Sequence, residues 1–221
     1  MKRLQQSDPD YNMGLDAMRP TYNLEPKYRV TMLTSENWTG GSGALPEVKG
    51  LVWYRDGSKI KEGTGAGVFG QSMRGRLSFS LGRYTTVFKA EIYAILACAH
   101  EIQSQYRSEK PVSICSDSQA ALKALQAVRT SPLVRQCPEA LNDISARHVV
   151  GLYWAPGHAG VRGNEIADVL ARGGSALGFL GPRPVLGVSR WVIRTKLNQW
   201  LINQHWARWR DLGHTQDRLE G

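Results

Sequence analysis

Runs of alternating and contiguous apolar residues give way to a helical period and return several times along the chain, and these switches set the order of its elements. Leu51, Val52, Trp53 and Tyr54 form an apolar run closed by Gly57 and Ser58, which predicts a strand with Asp56 at its carboxyl end. Residues 63–70 then carry a literal G-x-G-x-x-G at Gly65, Gly67 and Gly70. A dinucleotide fingerprint would need a helix to open at the last glycine. Here Gly75 and the alternation Leu77, Phe79, Leu81 announce another strand, so the stretch predicts a glycine-rich antiparallel pair that other backbone or a ligand can approach closely. From about residue 86 to 103 the period is helical, with Phe88, Ile95, Cys98 and Ile102 on one stripe and Ile92, Leu96 and Ala99 beside it. Val112, Ile114 and Cys115 make a short strand ending at Asp117, with Ser116 or Ser118 placed to cap a helix over 120–128. After the break at Thr130, Ser131 and Pro132, Leu133, Val134, Cys137, Leu141 and Ile144 space out a second helix of about a dozen residues. Val149, Val150, Leu152 and Tyr153 read as a strand stopped by Pro156 and Gly157. Gly160 and Gly163 allow an open loop, and Gly163 or Asn164 can start the helix that presents Asp168.

The order is an antiparallel hairpin followed by crossover units, which predicts an α/β fold: a mixed five-stranded sheet with helices on both faces. Residues 1–48, with Pro9, Pro20, Pro26, Pro46 and a Gly40-Gly41-Ser42-Gly43 run, show no periodicity and are expected to be an extended lead-in. The domain is expected over 49–175. Glycines and prolines between Gly173 and Gly187 mark a linker, placed at 176–188, and residues 189–221 hold a final helix, to about residue 210, and a tail.

Composition narrows the class. The formal net charge of +9 and a pI near 9.7 favour an anionic partner, of which nucleic acid is the commonest. Cys98, Cys115 and Cys137 are odd in number and lack C-x-x-C spacing, so no disulfide framework or zinc site is expected. No run approaches the roughly 18 apolar residues of a spanning helix, and the amino terminus leads into no secretory segment. An intracellular protein without membrane partners is expected, in which the acceptor-like Asn37-Trp38-Thr39 carries no glycan.

The candidate chemistry lies in four acids. If the strands bearing Asp56 and Asp117 are parallel neighbours, both carboxylates emerge at one edge, where open α/β sheets place their sites. Glu91, on the same helical stripe as Phe88 and Ile95, points towards the sheet; it is either half of a structural ion pair or a cation ligand. Asp117 could itself be a helix cap. Asp168 comes from the last helix of the domain. Converging acids repel, and a divalent pair, Mg²⁺ or Mn²⁺, relieves this; two ions about 4 Å apart suit in-line phosphodiester hydrolysis. His158, on its glycine-rich loop, suits proton handling or product release.

Four short motifs in order, Tyr54-Arg55-Asp56-Gly57-Ser58, Lys89-Ala90-Glu91-Ile92, Ser116-Asp117-Ser118-Gln119-Ala120, and Gly157-His158-Ala159-Gly160 through Asn164-Glu165-Ile166-Ala167-Asp168, give a resemblance. Over roughly residues 47–175 the chain resembles the type 1 ribonuclease H domain of insect non-LTR retrotransposon polyproteins. The resemblance implies a ribonuclease H-like fold, with Asp56, Glu91, Asp117 and Asp168 as metal ligands and His158 as the mobile catalytic histidine. It implies cleavage of the RNA strand of RNA–DNA hybrids during reverse transcription, and a chain that is part of, or derived from, a larger polyprotein. By the same resemblance Gln119 contacts the minor groove and Thr86 a DNA phosphate. The backbone around Gly57 and Ser58 suits recognition of 2′-hydroxyls. The asparagines that adjoin that threonine in the family are replaced here by Val87 and Phe88, and the basic handle of bacterial members has no counterpart, so affinity is expected from elsewhere in the polyprotein. The alternative is a catalytically impaired module that only binds hybrid or a partner protein. A related integrase or resolvase nuclease is disfavoured by the Gly157-His158-Ala159-Gly160 loop.

Three features stand outside the pattern. The tail interleaves Arg190, Arg194, Lys196, Arg208 and Arg210 with Trp191, Trp200, Trp206 and Trp209; stacking on nucleic acid is one use, and a helix docked on this domain or on a missing downstream part is preferred. His100, His148, His205 and His214 are expected to be structural or solvated. Arg55 stands where the retrotransposon pattern usually has a small hydroxyl residue. Alternation places it opposite Asp56, pointing away from the metals, as an unpaired buried cation whose replacement by threonine raises stability and rate. A frayed strand that lets Arg55 reach solvent or a substrate phosphate is the other expectation.

Overall fold

The computed structural model describes residues 15–16, 19–20, 25–33, 48–70, 75–105, 110–127, 129–177 and 186–216. Asn37 and most of the lead-in lie outside the described residues. Six strands form the main sheet: β1 (Arg29–Thr31), β2 (Leu51–Lys59), β3 (Thr64–Gly70), β4 (Arg76–Ser80), β5 (Val112–Ser116) and β6 (Val150–Trp154), in the spatial order β1-β6-β5-β2-β3-β4. β2, β3 and β4 form an antiparallel meander, while β5, β6 and β1 run parallel to β2. The mixed α/β sheet is therefore the expected one, with a sixth strand added by the lead-in. Three residues carry too little periodicity for that strand to be read in advance. The lead-in also touches the domain through two-residue pairings of Leu15–Asp16 with Val188–Ser189 and of Arg19–Pro20 with Arg129–Thr130.

Strand alternation divides the core. Trp53, Ala66, Val68, Ile114 and Leu152 point to one face, under α1 (Val87–Ser104) and α3 (Pro132–Ser145), and pack with Ile92, Ile95, Leu141 and Ile144. Tyr54, Cys115, Ala155, Val161 and Ala167 form a smaller cluster on the opposite face, under α4 (Arg162–Ala176). α2 (Gln119–Ala124) is shorter than expected, because the chain after it closes in turns rather than further helix, with Gln126 N donating to Lys123 O and Ala127 N to Ala124 O. Ser131 caps α3 through Val134 N and Pro132 takes the first turn, where its missing N–H costs nothing.

The glycines of β3 decide how closely α4 approaches. A Cβ on Gly67 would lie 2.2 Å from Ala167 O, and one on Gly65 2.2 Å from both Ala171 O and Ser175 N. The close approach foreseen for this hairpin is thus made by helix backbone. α4 continues through Gly173 and Gly174, which the sequence had marked as the start of a linker region; helix–sheet contact overrides the weak helix propensity of glycine. The helix begins at Arg162 after Val161, with no side-chain cap; Asn164, a candidate cap, is 3% exposed inside the first turn.

All three cysteines are buried and free. α5 (Arg190–Gln216) is longer than expected; Val192 near its start is buried, while Trp191, Trp200, Trp206 and Trp209 are exposed. Among the described residues no helix is long and apolar enough to cross a membrane.

Candidate active site

Parallel pairing of β2 with β5 sets Arg55 opposite Ser116, so the next residues, Asp56 and Asp117, leave the pair side by side. β2 does not end at Asp56. It runs on to Lys59, because Gly57 and Ser58 pair with Ala66 and Gly65 in the hairpin ladder, which outweighs their tendency to stop a strand. Gly57 has a further use. A Cβ there would lie 2.8 Å from Glu91 N and 3.0 Å from Ala90 Cβ, so its absence lets α1 settle against β2. Glu91 is thereby carried to the two aspartates. Ligand oxygens of Asp56, Glu91 and Asp117 all lie within 4.8 Å of one another.

Each acid is held differently. Asp56 is 7% exposed and accepts a 2.7 Å hydrogen bond from Gly57 N. Burial and then the charge of Asp117 push its carboxyl up to about 7. Asp117 is fixed by its backbone, whose carbonyl accepts from Trp154 Nε1 at 2.9 Å, and its Oδ1 is buried with no hydrogen-bond partner. Glu91 Oε2 accepts from Arg55 Nη1. Asp168 adds to the negative field at Asp56 but lies outside the three-acid group, and its Oδ2 accepts from Arg172 Nη2 one helical turn on.

The Arg55 pair corrects two expectations. The side chain does leave β2 on the face opposite Asp56, but α1 covers that face and brings Glu91 to it, so the cation is paired rather than isolated. Nor is the strand frayed, since Arg55 is 0% exposed and reaches neither solvent nor a surface phosphate. Its pKa is lowered by burial to about 10 while Asp117 and Asp56 oppose the fall, so it remains charged at neutral pH.

The β6–α4 loop meets the centre at Asp117. A Cβ on Gly157 would sit 2.9 Å from Asp117 Oδ2, so this loop rests on the carboxylate, and the next residue, His158, is exposed. His158 adopts φ 53°, a left-handed conformation sparsely populated by residues other than glycine. Such backbone persists where surrounding structure enforces it, often at functional loops.

The expected substrate contacts flank this centre. Ser58 follows Gly57 on β2 and is half-buried, and Gln119 is exposed at the first turn of α2, after Ser118 caps it through Ala121 N. Thr86 caps α1, its hydroxyl oxygen accepting from Lys89 N at 3.3 Å, with Val87 and Phe88 exposed beside it. One neighbour was missed from sequence: Lys59 donates to Thr85 O at 2.5 Å and to Arg83 O, setting a cation beside the start of α1. His148 Nδ1 lies 3.0 Å from Lys110 O, a structural role.

The donor set fits a divalent cation. Three carboxylates converge, one buried oxygen lacks any partner, and the Asp56 pKa is raised by burial and then by the charge of Asp117, both of which a cation would offset. The sign of the pH dependence follows. Because the folded pKa of Asp56 lies above its ordinary 3.8, its contribution to stability is full below pH 3.8 and is lost as pH rises through about 7. Without metal, Asp56→Asn should therefore be more stable than the wild type at pH 8, by up to about 4 kcal/mol, with the gap closing towards pH 4. Thermal melts in chelator at the two pH values check this; a gap that does not shrink on acidification contradicts it.

A model of the RNase H family matches residues 48–176, which span β2 through α4 and carry all four acids and His158. The chain belongs to the RNase H family.

Proposed function

We propose that this protein is a divalent-cation-dependent endonuclease that hydrolyses the RNA strand of RNA–DNA hybrids, as part of a retrotransposon reverse-transcription polyprotein. The observation that carries the reading is the convergence of Asp56, Glu91 and Asp117 within 4.8 Å, with Gly157 seated against Asp117. Asp56, Glu91, Asp117 and Asp168 would hold Mg²⁺ or Mn²⁺. When bound, the cations would supply charge neutralisation and an activated water for phosphodiester hydrolysis. Asp56 and Asp117 come from neighbouring strands and are fixed in relation to one another; Asp168 can adjust, since its arginine partner is exposed. His158, on the surface above Asp117, is placed to exchange protons with solvent and a leaving product. Gly57, Ser58 and Gln119 would meet the hybrid at the wide minor groove, where 2′-hydroxyls identify RNA. Thr86, with Lys59 nearby, would meet a phosphate of the DNA strand. The polyprotein context rests on the resemblance of the four motifs, and the net charge of +9 suits an anionic substrate.

One observation favours a second reading, a module that binds hybrid but cleaves poorly: Glu91 and Asp168 are each engaged by an arginine. Labelled RNA–DNA hybrid, RNA duplex and DNA duplex, incubated with and without Mg²⁺, separate the two. Cleavage of the hybrid's RNA strand alone, abolished by chelation, is expected. Tight hybrid binding without cleavage in Mg²⁺ or Mn²⁺ would establish the second reading instead.

A further inference from the structure

Among the described residues two arginines engage the acids of the centre, and they differ in one respect. Arg172 is 60% exposed on the surface of α4, so it can turn out into water and release Asp168. Arg55 cannot. Its side chain is 0% exposed, enclosed beneath α1 and α3, and only Nη1 is bonded, to Glu91, while Nε and Nη2 are buried without partners. The thiols whose charge would act on it, Cys98, Cys115 and Cys137, are pushed up by burial, Cys115 and Cys137 to about 12, so they stay neutral and give it no counter-charge. The carboxylates Glu91, Asp117 and Asp56 are what remains to balance it.

We infer that Arg55 is a built-in cation of the carboxylate centre, which neutralises Glu91 and weakens the affinity of the free protein for divalent ions. The inference rests on the reading of the centre as a divalent-cation site. A fixed positive charge a few ångströms from a doubly charged ion opposes binding strongly even at an intermediate dielectric. Unlike Arg172, it has no exit that would relieve the repulsion. It also keeps the metal-free centre folded, since without it Glu91 would be a buried charge with no partner. Arg55 is thus a positioning residue that sets the metal requirement, not one that touches substrate.

The test is calorimetric titration of Mn²⁺ into the full chain at pH 8 without nucleic acid, paired with melts in chelator. Arg55→Met should bind Mn²⁺ about 10- to 100-fold more tightly than the wild type, from the lost repulsion. Its metal-free form should melt lower than the wild type. Arg55→Lys, which keeps the charge, should retain the weak affinity. Equal affinity in Arg55→Met and the wild type overturns the inference and leaves the metal reading standing. Absence of Mn²⁺ binding in both overturns the two together. If Arg55→Met does not fold, Arg55→Gln decides: it removes the charge but keeps a donor for Glu91, and it should bind Mn²⁺ about 10-fold or more tightly than the wild type, whereas equal affinity overturns the inference.

Discussion

Asp117→Asn should abolish hybrid cleavage, lowering kcat by at least ~10³-fold, while hybrid affinity changes little. The change is nearly isosteric and leaves the backbone alone, so the 2.9 Å bond from Trp154 to the Asp117 carbonyl and the seat of Gly157 on the side chain both survive. What disappears is one of three converging charges, and with it the carboxylate that owns the unpartnered buried oxygen. His158→Ala is the informative contrast. An exposed loop group that exchanges protons is worth roughly 10²–10⁴-fold and should leave residual turnover in Mg²⁺. Single-turnover cleavage and hybrid binding, measured on both variants with circular dichroism as the check on folding, decide the matter. Near-normal turnover in Asp117→Asn would remove Asp117 from the proposed metal ligands, and a His158→Ala loss as complete as that of Asp117→Asn would make the histidine essential.

The parts of this centre that were legible in the sequence are those fixed by strand periodicity. Apolar runs ending in acids located Asp56 and Asp117, and the parallel register of β2 and β5 is what such runs require if both acids are to share one edge. The helical stripe through Phe88 and Ile95 aimed Glu91 at the sheet, where it is found, buried. The partner of Arg55 was not legible. Alternation gives the face of a strand on which a side chain lies but not what packs against that face, and the Arg55–Glu91 pair exists because Gly57 lets α1 settle close enough. Glycine misled in a related way. Gly57 was taken to end a strand and Gly173 and Gly174 to open a linker, since glycine weakens both strands and helices. At Gly57 and Gly174 the missing side chain serves close packing instead, a tertiary demand that a local rule does not contain. The tryptophans of α5, expected to dock on this domain or on a downstream part, are exposed on the described helix.

Neighbouring glycines on α4 should respond to alanine with opposite signs. Gly173 has open space where a side chain would go, the nearest atom being Ser78 Oγ at 3.8 Å, so alanine adds helix propensity without a clash. Gly173→Ala should stabilise the protein by about 0.5–1 kcal/mol. At Gly174 the added carbon would stand 2.4 Å from Phe79 O, and at Gly67, across the interface, 2.2 Å from Ala167 O and 2.5 Å from Ala171 N. These are backbone atoms of a packed helix and strand, so no side chain can turn aside and the helix itself must lift. Gly174→Ala and Gly67→Ala should each cost about 2–4 kcal/mol, which for a domain of this size lowers Tm by roughly 5–15 °C. The two differ in where the helix lifts. Gly67 lies under Ala167, the residue before Asp168, and is paired with Asp56, so its substitution parts the two acids directly. Gly67→Ala should therefore lose cleavage activity at temperatures where the protein is still folded, whereas Gly174→Ala, two turns further along α4, should keep most of its rate there. Melting curves and cleavage rates at 20 °C on the three variants provide the measurement. A destabilised Gly173→Ala would mean that α4 sits closer to β4 at Gly173 than described, and equal rates in Gly67→Ala and Gly174→Ala would separate the position of Asp168 from catalysis.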